Sequence, residues 1–201
     1  MKYLHYMMII VAAVSLLLLT GCGGTQPTMH YYQLAPTALP VTSGAKSLPD
    51  LAIEVGPVTI PEMLKRQEIV IRGDGNEYKL TDLHRWAGLL EKDLTAVIIE
   101  NIGKQLGTEK VASYPSAIYF EPDYRIIIEI LSLTGKPGEL VTLRAGWTII
   151  DRSGEQILER KISEYQQQLT DPSIDSLVQA ENQVIALLCQ EISNALRLNR
   201  P

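Results

Sequence analysis

The chain has 201 residues, 18 Lys+Arg against 23 Asp+Glu, and a formal net charge of −5. That mild acidity excludes a general nucleic-acid binder, which needs a basic face to displace phosphate counterions. Two cysteines exclude a disulfide scaffold and a Cys-rich zinc site. An apolar share of 46% with 20% charged residues fits one globular domain with an appendage.

The appendage is N-terminal. Lys2 supplies a positive start, and residues 6–19 form an almost unbroken apolar run. The run is short for a helix crossing about 30 Å of hydrocarbon and fits the core of a signal peptide. Leu19-Thr20-Gly21-Cys22, followed by Gly23-Gly24, resembles a bacterial lipobox. Its small residues suit a signal peptidase cleft, and the Cys22 thiol is the group that takes a thioether-linked diacylglycerol. The alternatives are a secretory signal with an incidental cysteine, or an uncleaved anchor. On the lipoprotein reading residues 1–21 are removed and the chain is held to a bilayer by its acyl chains, each buried methylene adding about 0.8 kcal/mol. Gly23, standing where Asp favours inner-membrane retention, points to the periplasmic side of the outer membrane.

Residues 22–50 read as the lipidated cysteine and a tether with one short strand at 31–34, which joins the domain; 35–50 have no periodicity and read as loop. Residues 51–201 read as a single periplasmic α/β domain. Leu51, Ile53 and Val55 alternate with Ala52, Glu54 and Gly56, predicting a half-buried strand that Gly56-Pro57 ends or bulges. Residues 60–66 form a loop with one helical turn, 67–72 a strand, 73–76 a turn and 77–80 the return strand of a hairpin. Thr81 reads as an N-cap with Asp82 in the first turn, opening a helix over 82–106 through Trp86, Leu90, Leu94, Val97, Ile98, Asn101, Ile102 and Leu106. A short strand at 110–113 follows. Three long runs, 123–133, 140–150 and 156–169, are separated by turn residues and predict an antiparallel meander. In the middle one Val141, Leu143, Ala145, Trp147 and Ile149 share a face. Asp171-Pro172 reads as N-cap and first residue of a second long helix, 172–197. The fold class is therefore α/β: a mixed, largely antiparallel sheet with a three-stranded meander, packed by two long amphipathic helices.

Catalytic chemistry is not legible. His30 and His84 have no ligand company at metal-binding spacing, and no nucleophile elbow, phosphate loop or zinc-protease motif occurs. Cys189 reads as a buried structural thiol. Glu129 and Glu54 read as open-face or edge acids, against the alternative of buried acids for which no partner is visible. The sequence predicts no enzyme, no catalytic residue, no cofactor and no metal.

Three stretches carry a resemblance. Ile53-Glu54-Val55-Gly56-Pro57-Val58-Thr59-Ile60-Pro61-Glu62-Met63-Leu64-Lys65-Arg66 runs into 67–72; His84-Arg85-Trp86-Ala87 follows a hairpin; Tyr31-Tyr32-Gln33-Leu34 follows the lipobox. The chain resembles the PqiC/YmbA family, auxiliary lipoproteins of ABC-type and MCE-type lipid transport systems, over about residues 31–198. It departs from the family pattern at Gln67, where a proline is usual, and at Gly88-Leu89-Leu90, where Glu-Pro-Leu is frequent. The resemblance implies a protein anchored in the outer-membrane lipid. It implies work with a periplasm-bridging MCE-domain protein and an inner-membrane transport component, in moving lipids and maintaining the envelope, and it leaves a homo-oligomer open.

Gly56, Pro57 and Pro61 read first as shaping a strand exit, Trp86 as core, and Arg85 as pairing within its own surface. Glu62, Lys65 and Arg66 are the candidate partner contact, with internal pairing an equal alternative for Arg66. The competing functions are a lipid carrier with its own apolar cavity and, last, an envelope hydrolase.

Overall fold

The meander forms as its alternation dictates. The computed structural model describes residues 2–8, 27–37, 39–40, 46–116 and 121–199. Its strands are β1 (His30–Tyr32), β2 (Ile53–Thr59), β3 (Glu68–Arg72), β4 (Tyr78–Trp86), β5 (Val111–Ser113), β6 (Tyr124–Gly135), β7 (Leu140–Asp151) and β8 (Ile157–Gln168). The long helices are α1 (Leu90–Leu106) and α2 (Ile174–Leu198), with a single 3-10 turn at Glu62–Leu64. Residues 2–8 are also helical, whereas Cys22 and the rest of the lipobox lie outside the described residues.

The strands divide into two sheets. One has the order β1-β4-β3 and the other β5-β2-β6-β7-β8. On β7, Val141, Leu143, Ala145, Trp147 and Ile149 are all at most 1% exposed. They face α2, while α1 covers β2 and β5, and the apolar stripes of both helices (Leu94, Ile98, Ile102; Leu177, Ile185, Leu188, Ile192) are equally buried. Sheet and helix faces thus remove each other from water. Trp147 satisfies its indole N–H within this core by donating to Ser163 Oγ at 3.1 Å.

The described residues between 33 and 48 lie across the two helices as a strap held by side chains. Thr37 N–H donates to Asn101 Oδ1, and Gln105 Nε2 donates to the Leu39 carbonyl, both on α1. Ala35 N–H donates to Asn182 Oδ1, Gln190 Nε2 donates to the Pro40 carbonyl and Arg197 to the Lys46 carbonyl, all on α2. The strap meets both helices in ascending order, so α1 and α2 run in the same direction. Leu34 and Leu48 bury its two ends.

Four details differ from the sequence reading. β2 is buried on both faces rather than one. It is an interior strand, parallel to β5 on one side and β6 on the other, and such strands are covered above and below. Thr81 is no N-cap. It sits in β4, where its hydroxyl donates to the carbonyls of Ile69 and His84 at a break in the β3–β4 register. The predicted helix over 82–106 therefore begins only at Leu90, after an extended Leu89, because residues 84–86 are committed to pairing with β1. Asp171 likewise yields its role to Ser173, whose side chain accepts from Ser176 N–H; Asp171 Oδ1 instead accepts from Ser173 N–H.

Candidate functional site

The three sequence stretches that carry the resemblance meet in space. Trp86 N–H donates to the Gln67 carbonyl at 2.7 Å, Ala87 N–H to the Tyr32 carbonyl at 2.7 Å, and Tyr32 is in register with Trp86. They frame the loop that leaves β2 and enters β3.

Gly56 is where that loop is prepared. Its φ of +134° suits a residue without a Cβ, and an added Cβ would stand 3.2 Å from the Tyr114 side chain. The β2–β6 register breaks between Val55 and Val58, so Gly56-Pro57 bulges the strand without ending it, and pairing resumes to Thr59. Pro57 is exposed and Pro61 half-buried. Pro61 leads into the 3-10 turn, where Leu64 N–H donates to its carbonyl at 2.9 Å. Ile60 and Leu64 plug into the core at 6% and 7% exposure. The loop is held from below, and its polar side chains project outward.

Those side chains are not equivalent. Glu62 and Lys65 pair with each other at 2.6 Å, and this contact holds the Lys65 ammonium above the usual lysine range. Arg66 is exposed and, among the described residues, has no carboxylate within 4 Å. The alternative of internal pairing is therefore taken by Glu62 and Lys65, leaving Arg66 as the uncompensated charge of the loop. Arg85 reaches Glu68 at 3.6 Å across β3–β4. Trp86, 4% exposed, packs inward beneath the same edge.

Other groups were invisible in the sequence. Glu54 is 6% exposed and receives the Arg125 guanidinium at 2.8 Å, while Arg125 also lies over the Tyr114 ring at 4.2 Å. A buried carboxylate needs such a partner, but the two residues are 71 positions apart. Glu129, by contrast, is an exposed open-face residue. His30 and His84 stack at 5.2 Å across β1 and β4, and Tyr32 Oη lies 2.9 Å from His84 Nδ1; no spacing in the sequence announces that pairing. Cys189 is fully buried, and burial pushes its thiol up to about 12. Among the described residues no cluster of His, Cys, Asp or Glu could hold a metal ion, and no helix is long and apolar enough to cross a membrane. A cleft of about 770 Å³ at the C-terminal end of α2 has a mixed lining, with Asp50, Asp123, Asp151 and Arg152 beside Leu51, Tyr124, Leu158 and Leu198.

Comparison with known proteins agrees with this geometry. The family described as ABC-type transport auxiliary lipoprotein component matches residues 32–193. The chain is 28% identical over 105 residues to the intermembrane transport lipoprotein PqiC of Escherichia coli K12, and equally to that of Shigella flexneri. Each match spans about half of both proteins, 52% of this chain and 56% of the relative. A crystal structure of a protein from Xanthomonas campestris superposes with a TM-score of 0.69 at 11% identity, covering 84% of this chain and 95% of that one. A second, of an uncharacterized protein, gives 0.69 at 16% identity, covering 84% and 99%. At such identities the likeness is one of fold.

Proposed function

We propose, since the chain belongs to the family of ABC-type transport auxiliary lipoprotein components, that it serves an intermembrane lipid transport system as a docking subunit. Cys22 anchors it by its acyl chains in the outer membrane, with the domain facing the periplasm. The partners are a periplasm-bridging MCE-domain protein and an inner-membrane transport component, and the assembly maintains the envelope. The observation that carries the docking role is the Gly56–Arg66 loop, pinned by Ile60 and Leu64 and presenting Arg66 without a counter-charge among the described residues. A loop already held in one conformation loses little entropy on binding. A guanidinium in a fixed place suits a carboxylate on a partner. The packed core between sheet and helices favours docking over carriage of lipid in a cavity of its own.

The test is Arg66→Glu in the full lipidated chain, measured by crosslinked pull-down from envelopes and by thermal unfolding. Exposed charges contribute about 0–1 kcal/mol to stability, so the melting temperature should hold while complex formation falls. Undiminished complex formation would remove the loop from the docking surface.

A further inference from the structure

β8 is an edge strand of twelve residues, and among the described residues nothing pairs with its outer side. We propose that β8 pairs antiparallel with β8 of a second copy of this chain, about a two-fold axis at Ile162, joining two five-stranded sheets into one. The inference goes beyond the docking role and does not depend on it.

Hydrogen-bond parity fixes which residues can pair. Leu169 N–H donates to the Glu139 carbonyl, and the β7–β8 register runs unbroken from Leu140↔Gln168 to Ile149↔Glu159. Successive residues of a strand turn their N–H and C=O groups to opposite sides. Odd-numbered residues of this stretch therefore bond to β7, and Arg160, Ile162, Glu164, Gln166 and Gln168 turn theirs outward. A two-fold axis at Ile162 sets outward group against outward group. It places Ile162 opposite itself, and Arg160 opposite the second copy's Glu164, twice. Shifting the axis one residue sets Lys161 against Lys161 or Ser163 against Ser163. Shifting it two toward the C-terminus sets Glu164 against Glu164. Only the Ile162 register matches opposite charges at both flanks, and directly opposed cross-strand pairs are the unit of sheet stabilisation.

The side chains are placed for this role, although Glu164 accepts from Gln166 Nε2 of its own strand at 3.3 Å. Ile162 is 58% exposed in the middle of the edge, leaning over Gly146 of β7. Among the described residues Arg160 and Arg144 have no carboxylate within 4 Å, and Glu164 has no cation within 4 Å. Glu164 lies in register with Arg144. The pairing would then set it between Arg144 of its own sheet and the second copy's Arg160. Edge strands are ordinarily protected by scattered charges. Here the charges flank an exposed isoleucine symmetrically, the pattern of a self-complementary edge. Lys161, on the opposite face, is engaged with Glu191 of α2 and is not needed.

The test uses the full chain in its membrane. Ile162→Cys should give a disulfide-linked dimer on mild oxidation, because directly paired Cα atoms about 5.5 Å apart suit a disulfide. Glu155→Cys, in the β7–β8 turn, should not. Arg160→Glu and Glu164→Arg should each weaken self-association about tenfold, since both flanking pairs then repel. Mixing the two variants should restore association, since every flanking pair is again opposite in sign. Should Ile162→Cys fail to fold, a mixture of Arg160→Cys and Glu164→Cys probes the same register. A chain that stays monomeric, or an assembly that persists undiminished in each single charge variant, would overturn the proposal.

Discussion

Trp86→Ala tests whether the sheet edge beneath the candidate loop is core or contact. The indole is 4% exposed and sits where β4 meets both β1 and the Gln67 carbonyl. A buried tryptophan removes about 150–250 Å² from water. At about 25 cal/mol per Å² that is worth about 4–6 kcal/mol. Alanine keeps a small part of it, and partial collapse of the cavity recovers some more, so truncation should cost about 3–5 kcal/mol. For a domain of this size each kcal/mol moves the midpoint by about 2–4 °C. Thermal unfolding followed by circular dichroism should therefore show a fall of about 6–20 °C. An unchanged midpoint together with lost complex formation would refute the reasoning and make Trp86 a contact residue.

Burial raises the Glu181 carboxyl to about 8, and its Oε2 has no hydrogen-bond partner among the described residues. The folded state thus keeps a proton that the unfolded chain releases near 4.5, so stability should fall as pH rises through that window. Glu181→Gln should raise the midpoint at pH 8 and leave it nearly unchanged at pH 4.5; an equal gain at both values would contradict this. Cys189, whose thiol stays protonated at neutral pH, should react with thiol reagents only after denaturation, and rapid labelling of the native chain would refute its burial. Cys22→Ser should abolish metabolic labelling with a fatty acid and leave the precursor unprocessed; a labelled mutant would end the lipoprotein assignment.

Legibility in the sequence followed the range of the determining contacts. The faces of β7 and the stripe of α2 were readable because periodicities of 2 and 3.6 are local. The start of α1 was not. Trp86 and Leu90 stand four apart and both point to the core, which imitates a helical turn, and only the pairing of residues 84–86 with β1 decides for extended chain. Thr81 reads as a cap for the same reason that it works in β4: a short hydroxyl seeks a nearby carbonyl in either setting. Of the candidate loop, the outline was visible in its prolines. The division of labour among its charges was not, because Glu62 and Lys65 could pair only once the 3-10 turn brought them to 2.6 Å. The Glu54–Arg125 pair and the side-chain contacts of the strap join residues far apart in the chain, where no pattern of spacing reaches.

The strap also imposes a schedule. Its bonds to Asn182, Gln190 and Arg197 join residues about 150 positions apart, the last being among the final residues of the chain. Contacts so distant in sequence close late, after the loop between them has been ordered. A polypeptide emerging N-terminus first can seat the strap on α1, but its bonds to α2 wait until that helix has arrived and packed on the sheet. Completion of the C-terminal helix is thus the event that closes the strap over the helix pair.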